Sequence, residues 1–550
     1  MKKLLQLLVI GLLFTNLSFG QEKEEMPKDW HLLDPATTGY NGISLDKAYE
    51  FLKSQNIKSK RVVVAVIDSG IDTLHEDLKP VLWINKKEIA GNKIDDDKNG
   101  YPDDLHGWNL LGGKDGKNVG VDSYEAARVY YALKPVWDDK DVDTLTLNSA
   151  QKKEYSTFLR AKAKVTGNAN DSEVKMVEAL LPKLLTGDSV IRKELGKEEY
   201  NATDLENYKT ENGDAKMARG FLINISKANG TNEISNTDLI NEFNAIARKG
   251  KEVNTPPPAY RKDIVGDDET NINDRDYGNN DIMASTPFHG THCSGIIGAK
   301  RDNGIGINGI ADNVEIMMIR AVPDGDEHDK DIALAIRYAV DNGAKVISMS
   351  FGKDFSPEKE WVDDAFRYAE KKGVLLVHAA GNDRKNIDTT YNFPTGNYLN
   401  GGVASTLITV GASGDKKNGG LTASFSNYGK RDVDLFAPGV GIYSTIPGGN
   451  TYGNASGTSM ACPVVAGVAA LILEYYPTLT PQQVKLAIEK SVNIPTEKVK
   501  NPGTGDDIEL SELCKTGGFL NAYGAVKAAS EIAAKQKIQT PKPRVINNKL

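Results

Sequence analysis

Ser459 stands in NASGTSMACPVVAG (454–467), behind Gly457 and Thr458 and just ahead of an apolar run with helical spacing, VVAGVAALIL. A serine where a turn meets a helix fits an N-cap, and it equally fits a nucleophile held in the open. A nucleophile needs a base. Of the seven histidines (31, 75, 106, 289, 292, 328 and 378), His289 has the most suggestive setting, FHGTHCSGIIG. A general base of this kind needs a buried carboxylate to fix its tautomer and stabilise the imidazolium. VVVAVIDSGID offers Asp68 at the end of an apolar run, where an ionised group is costly without a partner. LLVHAAGNDR adds Asn382, whose side-chain amide can donate to a developing oxyanion. Each alone also fits an ordinary part: a turn cap, a core histidine, an N-cap. Together, in the chain order Asp, His, Ser, they outline an acyl-transfer site.

These residues need a frame. Apolar runs at 61–67 (RVVVAVI), 314–322, 344–349, 374–378 and 407–410 are continuous rather than alternating, as in parallel strands buried on both faces. Helical patterns lie between them at 331–342, 357–372 and 460–476. The alternation predicts an α/β fold, a doubly wound and mostly parallel sheet with flanking helices. Ligands of such sheets sit at the carboxyl ends of the strands, where Asp68, Phe351 and Asn382 all fall. Residues 121–260 differ in composition, rich in Lys, Glu, Asp and Ala and poor in Gly, and end in Thr255-Pro256-Pro257-Pro258. They read as a helical insertion. The lysine-rich end, 535–550, reads as a disordered tail.

Four segments, VAVIDSGID, HGTHCSG, AAGN and GTSMACP, resemble the subtilisin-type serine proteases. The flanking stretches DSGIDTLHEDLK, VISMSFG and NFP extend the likeness over roughly residues 30–120 and 263–530. The resemblance implies a peptidase domain in two parts, 21–120 and 261–534, around the insertion. It implies Ser459 as nucleophile, His289 as general acid–base and Asp68 as its orienting carboxylate. Asn382 and the Ser459 N–H would stabilise the oxyanion, with Thr458 in support. A protein or peptide substrate in extended conformation would pair with strand edges at Ser350-Phe351-Gly352 and Ala379-Ala380-Gly381. The floor of the first specificity pocket would lie near Asn392, just before Phe393-Pro394. Cys293, four residues after His289, is expected to be a free, buried thiol. Only about ten residues separate Gln21 from Trp30, too few for the pro-domain that many relatives carry.

NKIDDDKNGYPDD places Asp95, Asp97, Asn99, Asp103 and Asp104 around Gly100, a pattern like the oxygen-ligand loop of an EF-hand without its full length or terminal Glu. It is a candidate for a structural Ca²⁺, with an ordinary acidic turn as the alternative. The acidic stretch 267–281 is a second candidate, and by family resemblance Asp77 with the turn 302–307 is a third. His289 and His292 lack a third ligand and an HExxH pattern, so zinc is not expected and His292 is read as a packed neighbour.

The first twenty residues carry Lys2 and Lys3, a short apolar core and small residues before Gln21, the pattern of a signal peptide rather than a stable membrane span. They predict a secreted or periplasmic protein. Their removal takes the formal charge from −8 to −10, 65 basic against 75 acidic residues. That balance argues against nucleic acid or anionic lipid as partner. Three cysteines (293, 462 and 514) leave at least one unpaired. A lipase would carry GxSxG around its serine, which GTSMA does not match. The combined reading is an exported serine endopeptidase.

Overall fold

The computed structural model describes residues 26–539 apart from 139, 198–199, 230–233 and 285–286. The signal-like stretch 1–20 lies outside the described residues.

Strand β1 (Val62–Asp68, VVVAVID) is β-branched at five of its seven positions and almost wholly buried, so it belongs in the middle of a sheet. Six further strands join it: β2 (Gly107–Asn109), β3 (Val314–Arg320), β4 (Val346–Met349), β5 (Leu375–Ala379), β6 (Leu407–Ser413) and β7 (Leu435–Pro438). Their order is β2-β3-β1-β4-β5-β6-β7, and every pairing is parallel. Register sets Asp68 beside Arg320, so β1 and β3 end together on the edge that carries the candidate site.

Both faces are covered, as the continuous apolar runs predict. Val62, Val64 and Val66 point into a layer that holds α1 (Leu45–Ser54), while Ala65 and Ile67 point to the other. Of the helices between β2 and β3, five make up the insertion: α2 (Glu125–Trp137), α3 (Ser149–Asn170), α4 (Ser172–Leu195), α5 (Gly213–Asn229) and α6 (Asn236–Lys251). They have cores of their own. Val177, Leu184, Leu222 and Phe243 join α4, α5 and α6, whereas Tyr130, Phe158 and Val165 join α2 and α3 and take in Phe355 of the sheet domain. Asn148 and Gln151 form a reciprocal capping box at the start of α3, and Gly196 in the left-handed conformation ends α4.

Beyond the insertion, α7 (Phe288–Gly298) lies with α1 on one face, and α8 (Asp329–Asp341) and α9 (Lys359–Lys371) cover the other. The central helix α10 (Thr458–Tyr475) is buried nearly throughout. Among the described residues it alone is long and apolar enough to cross a membrane, and here the core surrounds it. Helices α11 (Pro481–Glu489) and α12 (Ala522–Gln539) close the same layer. Residues 535–539, expected within a disordered tail, instead continue α12, and 540–550 lie outside the described residues. Alanine and lysine are good helix formers, and α12 carries them to Gln539.

Near the end of α10, Glu474 is fully buried and meets Asp312, with the Asn313 N–H donating to its Oε1 at 3.0 Å. Burial and then Asp312 hold the Glu474 carboxyl well above its usual 4.5. A carboxyl raised in the folded state binds its proton more tightly there than in the unfolded chain. Its contribution is complete below 4.5 and is lost as pH rises through the folded value. Unfolding free energy measured by denaturant titration is therefore expected to fall with pH above this point, and Glu474→Gln to flatten that slope. An unchanged slope in Glu474→Gln contradicts the assignment.

Candidate active site

The site grows from three chain ends on one edge of the sheet. Asp68 closes β1 and is 1% exposed. Its Oδ1 accepts from the Ser69 N–H at 2.7 Å and lies 2.8 Å from His289 Nδ1 in the first turn of α7. Nδ1 is the donor to this carboxylate, which leaves Nε2 as a proton acceptor. Helix α7 comes this close because residue 290 is glycine: a Cβ there would sit 2.2 Å from the Gly70 carbonyl oxygen and 3.1 Å from Asp68 Cβ. Burial by itself lowers an imidazole's pKa. The Asp68 carboxylate overrides it and holds His289 well above its usual 6.5.

Ser459 occupies the first turn of α10, where amide N–H groups have no intrahelical acceptor. Its hydroxyl donates to the Ser350 carbonyl at 3.1 Å. Four residues on, Pro463 has no N–H to give, so the Ser459 carbonyl is released from the helix ladder. Two side chains take it up: Ser350 Oγ at 3.0 Å and Cys293 Sγ at 3.3 Å. The same sulfur lies 4.0 Å from His289 Nδ1. Cys293 therefore ties the histidine helix to the serine helix, and burial raises its thiol pKa, which keeps it protonated. All three cysteines are free and buried.

Asn382 follows β5. Its Oδ1 accepts from the Thr458 N–H at 2.9 Å and from Thr458 Oγ1 at 3.1 Å. An N–H can only donate, so the amide orientation is settled and Nδ2 is left to donate to a ligand. Thr458 Oγ1 also accepts from the Gly381 N–H at 3.0 Å. The structure thus gathers Asp68, His289, Asn382, Thr458 and Ser459 into one constellation: a fixed imidazole, a hydroxyl at a helix start and an oriented amide donor.

The two groove segments come out differently. Ser350-Phe351-Gly352 continues β4 beside Ser459. Ala379-Ala380-Gly381 continues β5, but its polar groups past Ala379 are engaged internally. The Ala380 N–H donates to Val410 O, the Gly381 N–H to Thr458 Oγ1, and both carbonyls accept from Asn427, through Nδ2 at 2.8 Å and through its backbone N–H at 2.8 Å. This stretch forms a wall, not the pairing edge the sequence suggested. Asn392 sits across from it, its Oδ1 3.3 Å from where a Gly381 Cβ would be and 3.9 Å from that of Gly352. His292 packs as expected, with Nε2 3.0 Å from Ile442 O and 3.2 Å from Gly453 O, and burial pushes its pKa down to about 4.

In the acidic loop, Asp95 and Asp97 converge with Glu88, their carboxylate oxygens within 4.8 Å of one another. Glu88 lies outside the alternating pattern, so the sequence reading missed it. Asp103 accepts from the Gly91 and Lys93 N–H groups, and Asp104 from Asn85, Asn99 and Tyr338. Asn99 serves Asp104 as a donor. Asp77 accepts from Asn303, Ile307 and Tyr452, which closes the 302–307 turn upon it.

A sequence model of the subtilase family (peptidase S8) matches residues 59–525, and the chain belongs to that family. Among its relatives is a thermophilic serine proteinase of Bacillus sp. (strain AK1), 39% identical over 239 residues, 43% of this chain and 52% of that protein. The alignment thus spans about half the length of that relative. Subtilisin DY of Bacillus licheniformis is 40% identical over 201 residues, 36% of this chain and 67% of its own. Thermitase of Thermoactinomyces vulgaris is 37% identical over 240 residues, 44% and 75% of the two chains. A solved structure of proteases from Pseudoalteromonas arctica aligns over 91% of this chain and 97% of that one, with 20% identity and a TM-score of 0.46.

The His289–Asp68 contact makes a prediction independent of any substrate. In nuclear magnetic resonance titrations the His289 ring is expected to protonate with a midpoint above 6.5, and Asp68→Asn to lower that midpoint. An equal midpoint in the variant shows that Asp68 does not hold the imidazole.

Proposed function

We propose that the chain is an exported serine endopeptidase that cleaves peptide bonds through an acyl-enzyme. The observation that carries this reading is His289, held at Nδ1 by Asp68 at 2.8 Å, on the helix that Cys293 ties to Ser459. The Ser459 hydroxyl turns from the Ser350 carbonyl to His289 Nε2, gives up its proton and attacks the scissile carbonyl carbon. Asp68 stabilises the imidazolium that forms. The oxygen that gains charge receives Asn382 Nδ2 and the Ser459 N–H, donors that need no rearrangement because Thr458 already holds Asn382. His289 then protonates the leaving amine. Water, activated by the same imidazole, attacks the acyl-enzyme and regenerates Ser459.

Substrate lies extended along Ser350–Gly352, with the side chain before the scissile bond entering between Gly352, Gly381 and Asn392. Calcium serves structure, not chemistry. Glu88, Asp95 and Asp97 supply hard carboxylate oxygens of the kind that ion takes, and would hold it. The stretch 1–20 directs export. The acidic charge disfavours nucleic acid as partner.

The test is covalent. Residues 21–550, treated with a fluorophosphonate, are expected to gain one adduct by intact mass and to lose casein hydrolysis in step. Ser459→Ala is expected to gain none. Labelling that persists in Ser459→Ala, or folded protein that neither labels nor hydrolyses casein, overturns the reading.

A further inference from the structure

The five helices of the insertion, α2 to α6, have no part in the chemistry above, yet they grip both walls of the specificity pocket. One wall is Ser350–Gly352, which runs on into Lys353, Asp354 and Phe355. The other is the loop through Tyr391 and Asn392 to Phe393. Reciprocal backbone bonds join them: the Lys353 N–H donates to Phe393 O and the Phe393 N–H to Lys353 O, both at 2.9 Å.

Each wall is held from the insertion. The Lys353 side chain is 2% exposed, and its ammonium lies 2.8 Å from Glu125 of α2 and 2.9 Å from Asp329, and donates to the Glu327 carbonyl at 2.7 Å. A buried ammonium must be paired, so Glu125 and Asp329 together fix where the first wall runs. From α3, Lys164 pairs with Asp354 at 2.5 Å, and Arg160 donates to the Asp354 carbonyl at 3.1 Å. The Arg160 guanidinium then stacks between two rings, its central carbon 3.5 Å from the Tyr391 centroid and 4.5 Å from that of Phe355. One side chain thus bridges Phe355 on the first wall to Tyr391 on the second. The second wall needs such support. Its loop, Tyr391 to Thr395, lines a cleft of about 1430 Å³ together with Ser156, Thr157 and Arg160 of α3. A loop set against open volume lacks the close packing that fixes core segments, so the Arg160 stack has more to do there.

We propose that Arg160 is a specificity-determining residue: it sets the spacing of the pocket walls, so the insertion selects which side chain is accepted before the scissile bond. Arg160 does not touch the substrate. It positions Tyr391 and Asp354, which lie beside Asn392 and Lys353. The proposal rests on the serine endopeptidase reading, and the experiment separates the two.

The measurements are kcat and KM for short peptide anilides that differ only in the residue before the cleaved bond, alongside the labelling rate with diisopropyl fluorophosphate, which places no side chain in the pocket. Arg160→Ala is expected to reduce discrimination between large and small side chains by about tenfold, chiefly through KM. Labelling of Ser459 is expected to stay within about twofold of wild type, because the reacting groups do not move. Arg160→Lys keeps the charge without the planar stack and is expected to fall between. Tyr391→Ala removes the same stack from an exposed ring, and the double variant is expected to add little to either single change. If Arg160→Ala does not fold, Tyr391→Ala carries the test. Full discrimination in folded variants that label normally overturns the proposal. A wild type that does not label overturns the endopeptidase reading instead.

Discussion

A carboxylate at the end of a strand buried on both faces is the constraint on which the site depends. Asp68 is almost without solvent, and an ion in that position is costly unless donors converge on it. The Ser69 N–H and His289 both reach Oδ1. For His289 to do so, α7 must start directly over the carboxyl edge of β1, an approach that the missing Cβ of Gly290 allows. The need of one buried charge thus dictates the placement of a helix, and the helix brings the imidazole with its tautomer already set.

A second local rule places the serine. Pro463 removes one amide from the first turns of α10, and the Ser459 carbonyl so released becomes an anchor for Cys293 and Ser350. Ser459 is therefore held by its own backbone to the helix of His289 on one side and to the end of β4 on the other. Asn382 is held by Thr458 in the same turn. The polar groups around the serine are organised before any substrate arrives, which is the condition for electrostatic stabilisation without reorganisation. The insertion fits the same logic. Ends joined by a long loop cost little more than ends joined by a short one, so β2 and β3 still pair across the inserted helices between them. Those helices fold around their own apolar cores and return ion pairs to the groove.

Much of this was legible in the amino-acid sequence, for a physical reason. Strands buried on both faces must be apolar throughout, so β1, β3 and β5 stood out as continuous runs, with Asp68 and Asn382 at or just after their ends. The family motifs then marked His289 and Ser459 as the candidates for base and nucleophile. What stayed hidden depends on partners remote in the chain. Ala380 and Gly381 looked like an open edge until Asn427, 46 residues past Gly381, was seen to occupy their carbonyls. Nothing local to Lys353 signals that Glu125 and Asp329 will bury it. Glu88 lay outside the alternating acidic pattern, and only the fold returns it to Asp95 and Asp97. The tail from 535 was judged on charge, whereas helix propensity carries α12 to Gln539.

The central claim is that Asp68, His289 and Ser459 act as one unit, and unit behaviour is read most directly from non-additivity. Residual peptide hydrolysis would be measured for Ser459→Ala, His289→Ala and the double variant, each checked for folding. The account predicts that either single change costs on the order of 10⁴–10⁶-fold in kcat and that the second adds almost nothing to the first. Losses that multiply, so that the double variant falls far below both singles, would mean that the two residues contribute independently and would contradict it.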